Sequence, residues 1–322
     1  MKTNSEPFNA LTSKYHDYVG SKKNLAPTTV KNYDRDLKSL GDFFIKENIQ
    51  EVQNFGRLQV RSYLAWLSEL GYVRASVVRK LSVLRGFFRW LLIERYIEVN
   101  PIPKATKIKK QKMLPRFLTV EEVFRFIDAS NGGSIREIAL RDNAIMELIY
   151  ATGLRVSEVR GLNIDDVKLD SKEVLALGKG FKERIVLMGD LAMRALVVYL
   201  DRGRPVLESS DSKDALFLSR NGKRISVRSI QERVRKYAKE AGLDDGVHTH
   251  TLRHSFATHL LAGGAELRVV QELMGHADPS TTQIYTHVTG AQTLESYMAS
   301  HPFVGQNPES GFEYYEEKDD LE

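Results

Sequence analysis

The sequence predicts a mainly α-helical protein of two domains, the second of which contains a small antiparallel sheet. Apolar residues recur at helical spacing through residues 8–95. A stretch with three prolines, 100–116, then interrupts that spacing. Residues 166–189 change to the pattern of two short strands around a Gly-Lys-Gly turn. With 322 residues, of which 42% are hydrophobic, the chain is long enough to build two cores.

The spacing of the apolar residues in 8–95 predicts four helices. Pro27 suits the first position of one of them, and the apolar residues that follow keep a helical period: Val30, Tyr33, Leu37, Leu40 and Phe44. A later helix repeats the arrangement with Val77, Leu81, Leu84, Phe88 and Leu91. We therefore expect residues 1–98 to form an all-α domain.

Basic residues lie on the same two predicted helices. Lys31, Arg35 and Lys38 form a stripe on the first, and Arg85 and Arg89 form a pair one turn apart on the second. Basic faces are usually only solvated. Two of them in one small domain also suit contacts with a phosphate backbone, and both interpretations stay open.

The charge distribution is uneven. Residues 309–322 carry seven acids and one base, so the formal charge of +5 for the whole chain becomes +11 for residues 1–308. A basic body indicates a polyanionic partner, most often nucleic acid, although a basic protein without such a partner remains the alternative. The segment 303–322 is predicted to be an acidic, disordered tail.

The stretch NPIPKATKIKKQKMLPR, residues 100–116, has six basic residues and no acid. Its prolines and charge predict an exposed linker, which we place at 99–116. Lys107, Lys109 and Lys110 are candidate DNA contacts if the linker lies along DNA. An exposed connector without DNA contacts would have the same composition.

The second domain is expected to span 117–302. Thr119 and Glu122 have the spacing of a capping box, and another helix is predicted at about 134–151. After residue 190 the chain is predicted to be helical, except for a hairpin in LFLSRNGKRIS with an Asn-Gly turn.

Composition also excludes several classes of protein. The chain has no cysteine, which rules out disulfides, cysteine–zinc sites and thiol catalysis, and fits a reducing compartment. The N-terminus lacks the apolar core of a secretion signal. No apolar run approaches the ~18 residues of a membrane span. We therefore expect a soluble, cytoplasmic protein.

Four of the eight histidines lie in HTHTLRHSFATH, residues 248–259. On a helix, His250 and Arg253 would share a face, whereas His259 would face the core. An arginine one turn from a first metal ligand would repel a cation, and no zinc-ligand spacing is present. Arginine beside histidine at a helix start suits phosphate. The spacing therefore favours phosphate over a metal.

This segment, with LMGHADPSTTQIYTH after it, resembles the tyrosine site-specific recombinases (the lambda-integrase family), and most closely their bacterial Xer branch. ATGLRVSEVRGL and LGKGFKERIVL are similar to two further signature segments, in the order that the family has them. The resemblance extends to about residue 302. Four spaced segments in order make a specific match, whereas one alone would be weak.

The resemblance implies roles for particular residues. Arg155 and Arg253 match the two arginines that hold the scissile phosphate. His250 matches the histidine of the H-x-x-R pair, and His276 matches a third-segment histidine or tryptophan. Lys179 matches the lysine of a β-hairpin. No metal or other cofactor is implied.

Tyr285, in QIYTH, matches the nucleophile of the family. A tyrosine hydroxyl has a pKa near ~10, so it must lose its proton as it attacks phosphorus. Arginines can stabilise the charge that develops on the phosphate without a metal, and a lysine can protonate the leaving 5′-oxygen. The phosphotyrosyl bond conserves the energy for rejoining, which agrees with the lack of a phosphate-binding loop for ATP.

Each of these residues, taken alone, has a plainer interpretation. Arg155 and Glu158, one turn apart, suit a surface ion pair. Lys179 suits a solvated turn, His276 suits a helix cap, and Tyr285 suits a core position. Only the combination at the family's spacing favours catalysis.

The resemblance further implies a two-domain clamp around double-stranded DNA, in which a core-binding domain precedes the catalytic domain. It implies a homo- or hetero-tetramer on two specific recombination sites, strand exchange through a Holliday junction, and a helix within 290–302 that docks on a neighbouring protomer. Members of the Xer branch typically resolve chromosome or plasmid dimers, often with a second Xer-type recombinase and a septal DNA translocase. Alternatives are a mobile-element integrase, a type IB topoisomerase and a non-catalytic DNA-binding protein.

Overall fold

The computed structural model describes residues 6–22, 27–103, 116–178, 183–275 and 296–303. The chain divides into two compact units, Met1–Lys112 and Met113–Glu322. Each unit has a hydrophobic core of its own. No helix among the described residues is long and apolar enough to cross a membrane. The chain is mostly helical with one small antiparallel sheet, as the sequence predicts.

The N-terminal unit contains the four predicted α-helices: α1 (Phe8–Asp17), α2 (Pro27–Lys46), α3 (Arg57–Glu69) and α4 (Arg74–Ile93). A π-helical turn, Tyr18–Lys22, continues α1. The apolar faces predicted for α2 and α4 point into the core, where Leu40, Leu84 and Phe88 are buried. The helical period of the sequence was sufficient here because each helix buries a single face.

The basic residues of this unit differ in environment. Lys31, Arg35, Lys38 and Arg89 are exposed. Arg85 is half-buried, and its Nε donates a hydrogen bond of 3.0 Å to the carbonyl of Pro103. The beginning of the expected linker also packs on this unit, since Ile102 is buried in its core. Lys107, Lys109 and Lys110 lie outside the described residues.

Between residues 116 and 275, the C-terminal unit contains eight α-helices and three strands: α5 (Val120–Ala129), α6 (Arg136–Thr152), α7 (Val156–Gly161), β1 (Val167–Lys168), β2 (Glu173–Leu177), β3 (Glu183–Leu187), α8 (Asp190–Val198), α9 (Arg204–Leu207), α10 (Val227–Glu240), α11 (Thr249–Ala262) and α12 (Leu267–Leu273). The central helix is α6, which is buried along nearly its whole length. The capping box at the start of α5 forms as predicted, with Thr119 Oγ1 accepting from the Glu122 amide at 3.2 Å and Glu122 Oε2 accepting from the Thr119 amide at 2.9 Å.

The sheet has the order β1-β2-β3 and is antiparallel throughout. Val174 pairs with Val186, and both are buried. The next pair, Leu175 with Ile185, lies on the opposite, exposed face. One face of the sheet therefore packs on the core, and alternation along the strands decides which residues point inward.

The short hairpin predicted at residues 216–226 forms, with an antiparallel bridge between Leu218 and Arg224. Two backbone hydrogen bonds flank the bridge, from the Ile225 amide to the Phe217 carbonyl at 3.0 Å and from the Ser219 amide to the Lys223 carbonyl at 2.6 Å. The segment also pairs with the end of α7, where the Leu216 amide donates to the Leu162 carbonyl at 3.0 Å. The Arg224 guanidinium also donates to the carbonyls of residues 160–162. These contacts join residues about 60 positions apart, which no local pattern reveals.

The last described segment, 296–303, packs on the core of its own unit. Residues 296–300 are helical, which is part of the predicted helix 290–302. Tyr297 is buried and its hydroxyl donates to the Ala151 carbonyl of α6 at 3.1 Å. Phe303, placed by sequence at the start of the tail, is buried against Tyr150 with ring centroids 4.7 Å apart. Within one chain, the segment thus completes the core around α6.

A buried acid on α6 makes the stability of this unit depend on pH. Burial raises the pKa of Glu147 to about 8, and its Oε2 has no hydrogen-bond partner among the described residues. Between the ordinary carboxyl pKa and about 8, the folded state holds a proton that the unfolded state has lost. The contribution of Glu147 to stability therefore falls as pH rises through this window.

We expect Glu147→Gln to be more stable than the wild type at pH 8, because the amide needs no proton in the folded state. The advantage should shrink as pH falls toward 5. Urea unfolding at both pH values measures the difference. Glu137→Gln, a half-buried position on the same helix, is the control. An equal change in unfolding free energy at both pH values would contradict the assignment.

Candidate active site

Arg155 is the N-cap residue of α7, and it lies two residues after Gly153, the C-cap residue of α6. Gly153 has a φ of +61°, and a Cβ there would collide with the Phe256 ring, so only glycine fits this turn. The Arg155 amide donates to Glu158 Oε2 at 2.8 Å, and its guanidinium donates to Oε1 at 2.9 Å. Glu158 thus caps α7 and also fixes the side chain of Arg155.

Glu158 is buried, with 4% of its side chain exposed, so the interpretation as a surface ion pair is wrong. A second arginine, Arg184 of β3, donates from both terminal nitrogens to the two carboxylate oxygens, each at 2.9 Å. Burial opposes ionisation of Glu158, but hydrogen bonds from Arg184 and from the Arg155 backbone outweigh it and hold its pKa below the usual value. Glu158 is therefore a carboxylate shared by two guanidinium groups.

Arg184 was missed by the sequence analysis. A signal was present, because Arg184 lies two residues before buried Val186 and therefore on the inward side of β3. An arginine among inward-facing residues of a strand needs a buried partner. The pattern gave no means of naming that partner, since Glu158 lies 26 residues earlier in the chain.

Arg253 lies in α11 and is buried. Its guanidinium donates to the carbonyls of Gly153 and Met274, so it joins the end of α6 to the end of α12. Burial first, and the nearby charge of Arg155 second, lower the pKa of Arg253 to about 10. The group nevertheless keeps its positive charge at neutral pH.

His250 occupies the first turn of α11, three residues before Arg253. Its ring lies 5.9 Å from that of His248, measured between centroids. Desolvation, followed by the neighbouring His248 and Arg253, lowers the pKa of His250. At neutral pH its imidazole is therefore mainly uncharged and able to accept a proton.

Three successive carbonyls at the end of α12 each accept a hydrogen bond from a different arginine. The Leu273 carbonyl accepts from Arg184 Nε at 3.4 Å, the Met274 carbonyl accepts from Arg253, and the Gly275 carbonyl accepts from Arg155 at 3.4 Å. The last carbonyls of a helix lack intrahelical donors and carry partial negative charge. The end of α12 thus gathers the three guanidinium groups.

The structure brings together three of the residues predicted for catalysis, namely Arg155, His250 and Arg253. Lys179, His276 and Tyr285 lie outside the described residues. His259 is buried, with Nδ1 2.8 Å from the Tyr150 hydroxyl, which confirms that it is a core histidine. In the part of the chain that the structure describes, no group of three His, Asp or Glu side chains has the arrangement of a metal site.

This arrangement can bind an anion. Two guanidinium groups, those of Arg155 and Arg184, share the Glu158 carboxylate, and a third, that of Arg253, lies nearby. The cluster therefore has an excess of positive charge, and Arg155 is partly exposed to solvent. Guanidinium groups in fixed orientations are suited to the oxygens of a phosphodiester and to the charge that these oxygens gain during displacement. A neutral histidine beside them can accept a proton.

Comparison with known proteins assigns the chain to a class. Residues 116–292 match the model of the Phage integrase family, and residues 13–95 match the Phage integrase N-terminal SAM-like domain. These matches define a site-specific DNA recombinase of the tyrosine type. The chain belongs to the phage integrase family, in the Xer branch of the tyrosine recombinases, as the relatives below show.

Tyrosine recombinase XerD of Bifidobacterium longum is 41% identical over 301 residues, which cover 92% of this chain and 98% of the relative. Tyrosine recombinase XerC of Halalkalibacterium halodurans is 43% identical over 289 residues, which cover 88% of this chain and 95% of the relative. The crystal structure of the XerH recombinase bound to its difH substrate gives a TM-score of 0.64 at 24% identity, covering 88% of this chain and 83% of that one. At that identity the structural likeness shows the fold.

Proposed function

We propose that this recombinase cuts and rejoins double-stranded DNA at a specific site through a 3′-phosphotyrosyl intermediate, and that it resolves chromosome or plasmid dimers. The observation that carries the proposal is the convergence of Arg155 and Arg253 on the end of α12, with His250 one turn before Arg253 on α11 and close enough to both arginines for their charges to add to burial in lowering its pKa. Relatives named XerC and XerD, about 40% identical over most of the chain, support dimer resolution over mobile-element integration.

In the proposed reaction, Arg155 and Arg253 bind the non-bridging oxygens of the scissile phosphate. The Tyr285 hydroxyl attacks phosphorus and transfers its proton to a base, for which His250 is suited by its lowered pKa. The bond from phosphorus to the 5′-oxygen breaks, and Lys179 supplies the proton that this oxygen needs. His276 completes the set by donating to the phosphate. Rejoining reverses these steps on the exchanged strand and needs no ATP.

DNA binding is assigned to both domains. We propose that the domain of residues 1–98 binds the phosphate backbone through Lys31, Arg35, Lys38 and Arg89, which are exposed on α2 and α4. Arg85, whose guanidinium contacts Pro103, contributes through its remaining donors. The linker, 99–116, adds Lys107, Lys109 and Lys110. The catalytic domain is 117–302, and assembly of several protomers on paired sites follows the Xer relatives.

Trapping of covalent adducts tests the proposal and identifies the DNA site. The protein is mixed with sheared genomic DNA of its own organism, denatured, and the DNA that stays attached to protein is sequenced. A single recovered site near the replication terminus supports dimer resolution. Sites at the ends of mobile elements would support integration instead, and scattered sites with relaxation of any supercoiled plasmid would identify a topoisomerase-like activity.

Lys179→Ala should slow cleavage of ordinary DNA at the recovered site, because the leaving 5′-oxygen departs poorly without a proton. A duplex with sulfur at the 5′-bridging position should restore most of the rate, since a thiolate leaves unprotonated. Single-turnover cleavage on a gel measures both rates. Equal defects on the two substrates would show that Lys179 only binds DNA.

A further inference from the structure

We propose that Arg184 is a positioning residue for strand cleavage: it fixes Glu158, and through Glu158 the guanidinium of Arg155, while it holds the end of α12. This inference rests on the proposed function, because it assigns Arg184 to the same phosphate site. The sequence motifs gave no role to Arg184, although it lies five positions after Lys179 in the chain.

The hydrogen bonds show that Arg184 faces the protein. Both terminal nitrogens are used by the two oxygens of Glu158, and Nε points to the Leu273 carbonyl. Only 16% of its side chain is exposed, against 35% for Arg155. Arg155 is therefore the guanidinium presented to a phosphate, and Arg184 is its support.

The balance of charge explains why a second arginine is needed. Glu158 is a buried carboxylate, and with Arg155 as its only partner it would neutralise the charge that a phosphate must meet. Arg184 supplies that neutralisation in a bidentate arrangement, the strongest geometry for this pair. Arg155, Arg184, Arg253 and Glu158 together carry a net charge of +2. This excess suits a phosphodiester that gains negative charge as it is attacked.

Arg184 also connects three elements that carry the site. It belongs to β3, it binds Glu158 of α7, and it contacts the end of α12. Gly275 has a φ of +60°, and a Cβ there would lie 2.9 Å from Arg184 Cζ, so the guanidinium packs directly on this peptide. The next residue along the chain is His276. Arg184 thus holds Gly275, the residue directly before His276 in the chain.

The test uses the full-length protein and a nicked duplex that carries the recovered site. Arg184→Met should slow single-turnover cleavage by about 10²-fold, the loss typical of a misplaced catalytic group, while DNA affinity stays unchanged. Arg184→Lys keeps the charge without the two-pronged geometry and should restore part of the rate. Lys172→Met is the matched control, because it removes a different ion pair, 2.6 Å from Lys172, which directly precedes β2, to Asp190 of α8.

Two measurements separate positioning from a merely structural role. In a duplex with a neutral methylphosphonate at the scissile position, less negative charge develops on the phosphorus group during attack. Arg184→Met should therefore slow cleavage of this duplex by a smaller factor than cleavage of ordinary DNA. In the double variant Arg184→Met with Glu158→Gln, the slowing should be less than the product of the two single effects, because Arg184 acts in part through Glu158. Thermal unfolding shows whether each variant is folded. If Arg184→Met is unfolded, the cleavage rate of Arg184→Lys is used for the test.

An unchanged cleavage rate in folded Arg184→Met, or in Arg184→Lys if that variant is the only folded one, would overturn the inference. Equal defects on the phosphate and methylphosphonate duplexes, or additive effects in the double variant, would do so as well. Absence of a covalent adduct with the wild-type protein would instead overturn the proposed function, which keeps the two failures distinct.

Discussion

Tyr285→Phe is expected to abolish the covalent protein–DNA adduct and to leave DNA binding unchanged. Phenylalanine keeps the ring but lacks the oxygen that attacks phosphorus, and no other side chain of the proposed set is a nucleophile of this kind. The measurement is the formation of a protein-linked strand on a nicked suicide duplex, separated on a denaturing gel, beside a binding assay on the same DNA.

Tyr297→Phe is the matched control for this prediction. The Tyr297 hydroxyl is buried and donates to the Ala151 carbonyl, so its removal costs a structural hydrogen bond of about 1 kcal/mol and no nucleophile. Adduct formation should persist in this variant. Both the wild type and Tyr297→Phe should remain active in EDTA, because the arginines replace a metal. An adduct in Tyr285→Phe would mean that another residue attacks.

Arg253→Lys is expected to slow strand cleavage by about 10²–10³-fold, the usual cost of losing one preorganised donor to the transition state. The substitution keeps the positive charge but not the planar set of donors. Arg253 binds the carbonyls of Gly153 and Met274, and one ammonium group cannot bind both and also contact a phosphate. Single-turnover cleavage at saturating protein measures the effect.

Arg204→Lys serves as the control, because Arg204 is likewise buried and donates to backbone carbonyls, those of Lys213 and Ala215, but contacts none of the residues around α12. The stability of Arg204→Lys should fall about as much as that of Arg253→Lys. Below its unfolding temperature, Arg204→Lys should cleave DNA at the rate of the wild type. Equal slowing in both variants would show that the loss reflects instability and not chemistry.

Local patterns predicted most of the fold. The helical period identified α2 and α4, and the Thr119–Glu122 spacing identified the start of α5, because each depends on residues within a few positions. The Asn-Gly turn likewise identified the short hairpin at 216–226. Its contacts with the carbonyls of residues 160–162 could not be predicted in the same way, because a local pattern does not include partners about 60 positions away.

The candidate site also combines features that local spacing predicts with contacts between residues distant in the chain. The Arg155–Glu158 spacing identified a pair one helical turn apart, but the burial of Glu158 depends on β3, which local spacing does not include. A helix within 290–302 was predicted from the sequence, yet the acceptor of its Tyr297 hydroxyl, the Ala151 carbonyl, is 146 residues away. The sequence thus singled out Arg155, His250 and Arg253, which the structure brings together, and missed Arg184, which holds Glu158.

The three carbonyls at the end of α12 have a mechanical consequence. Residues 273–275 form one short run of peptide, and Arg184, Arg253 and Arg155 are each attached to it. A rotation of residues 273–275 would move the acceptors of all three guanidinium groups at once. One arginine is therefore not expected to lose its hydrogen bond to this segment while the other two keep theirs. A displacement of the end of α12 is therefore expected to disturb all three guanidinium groups together.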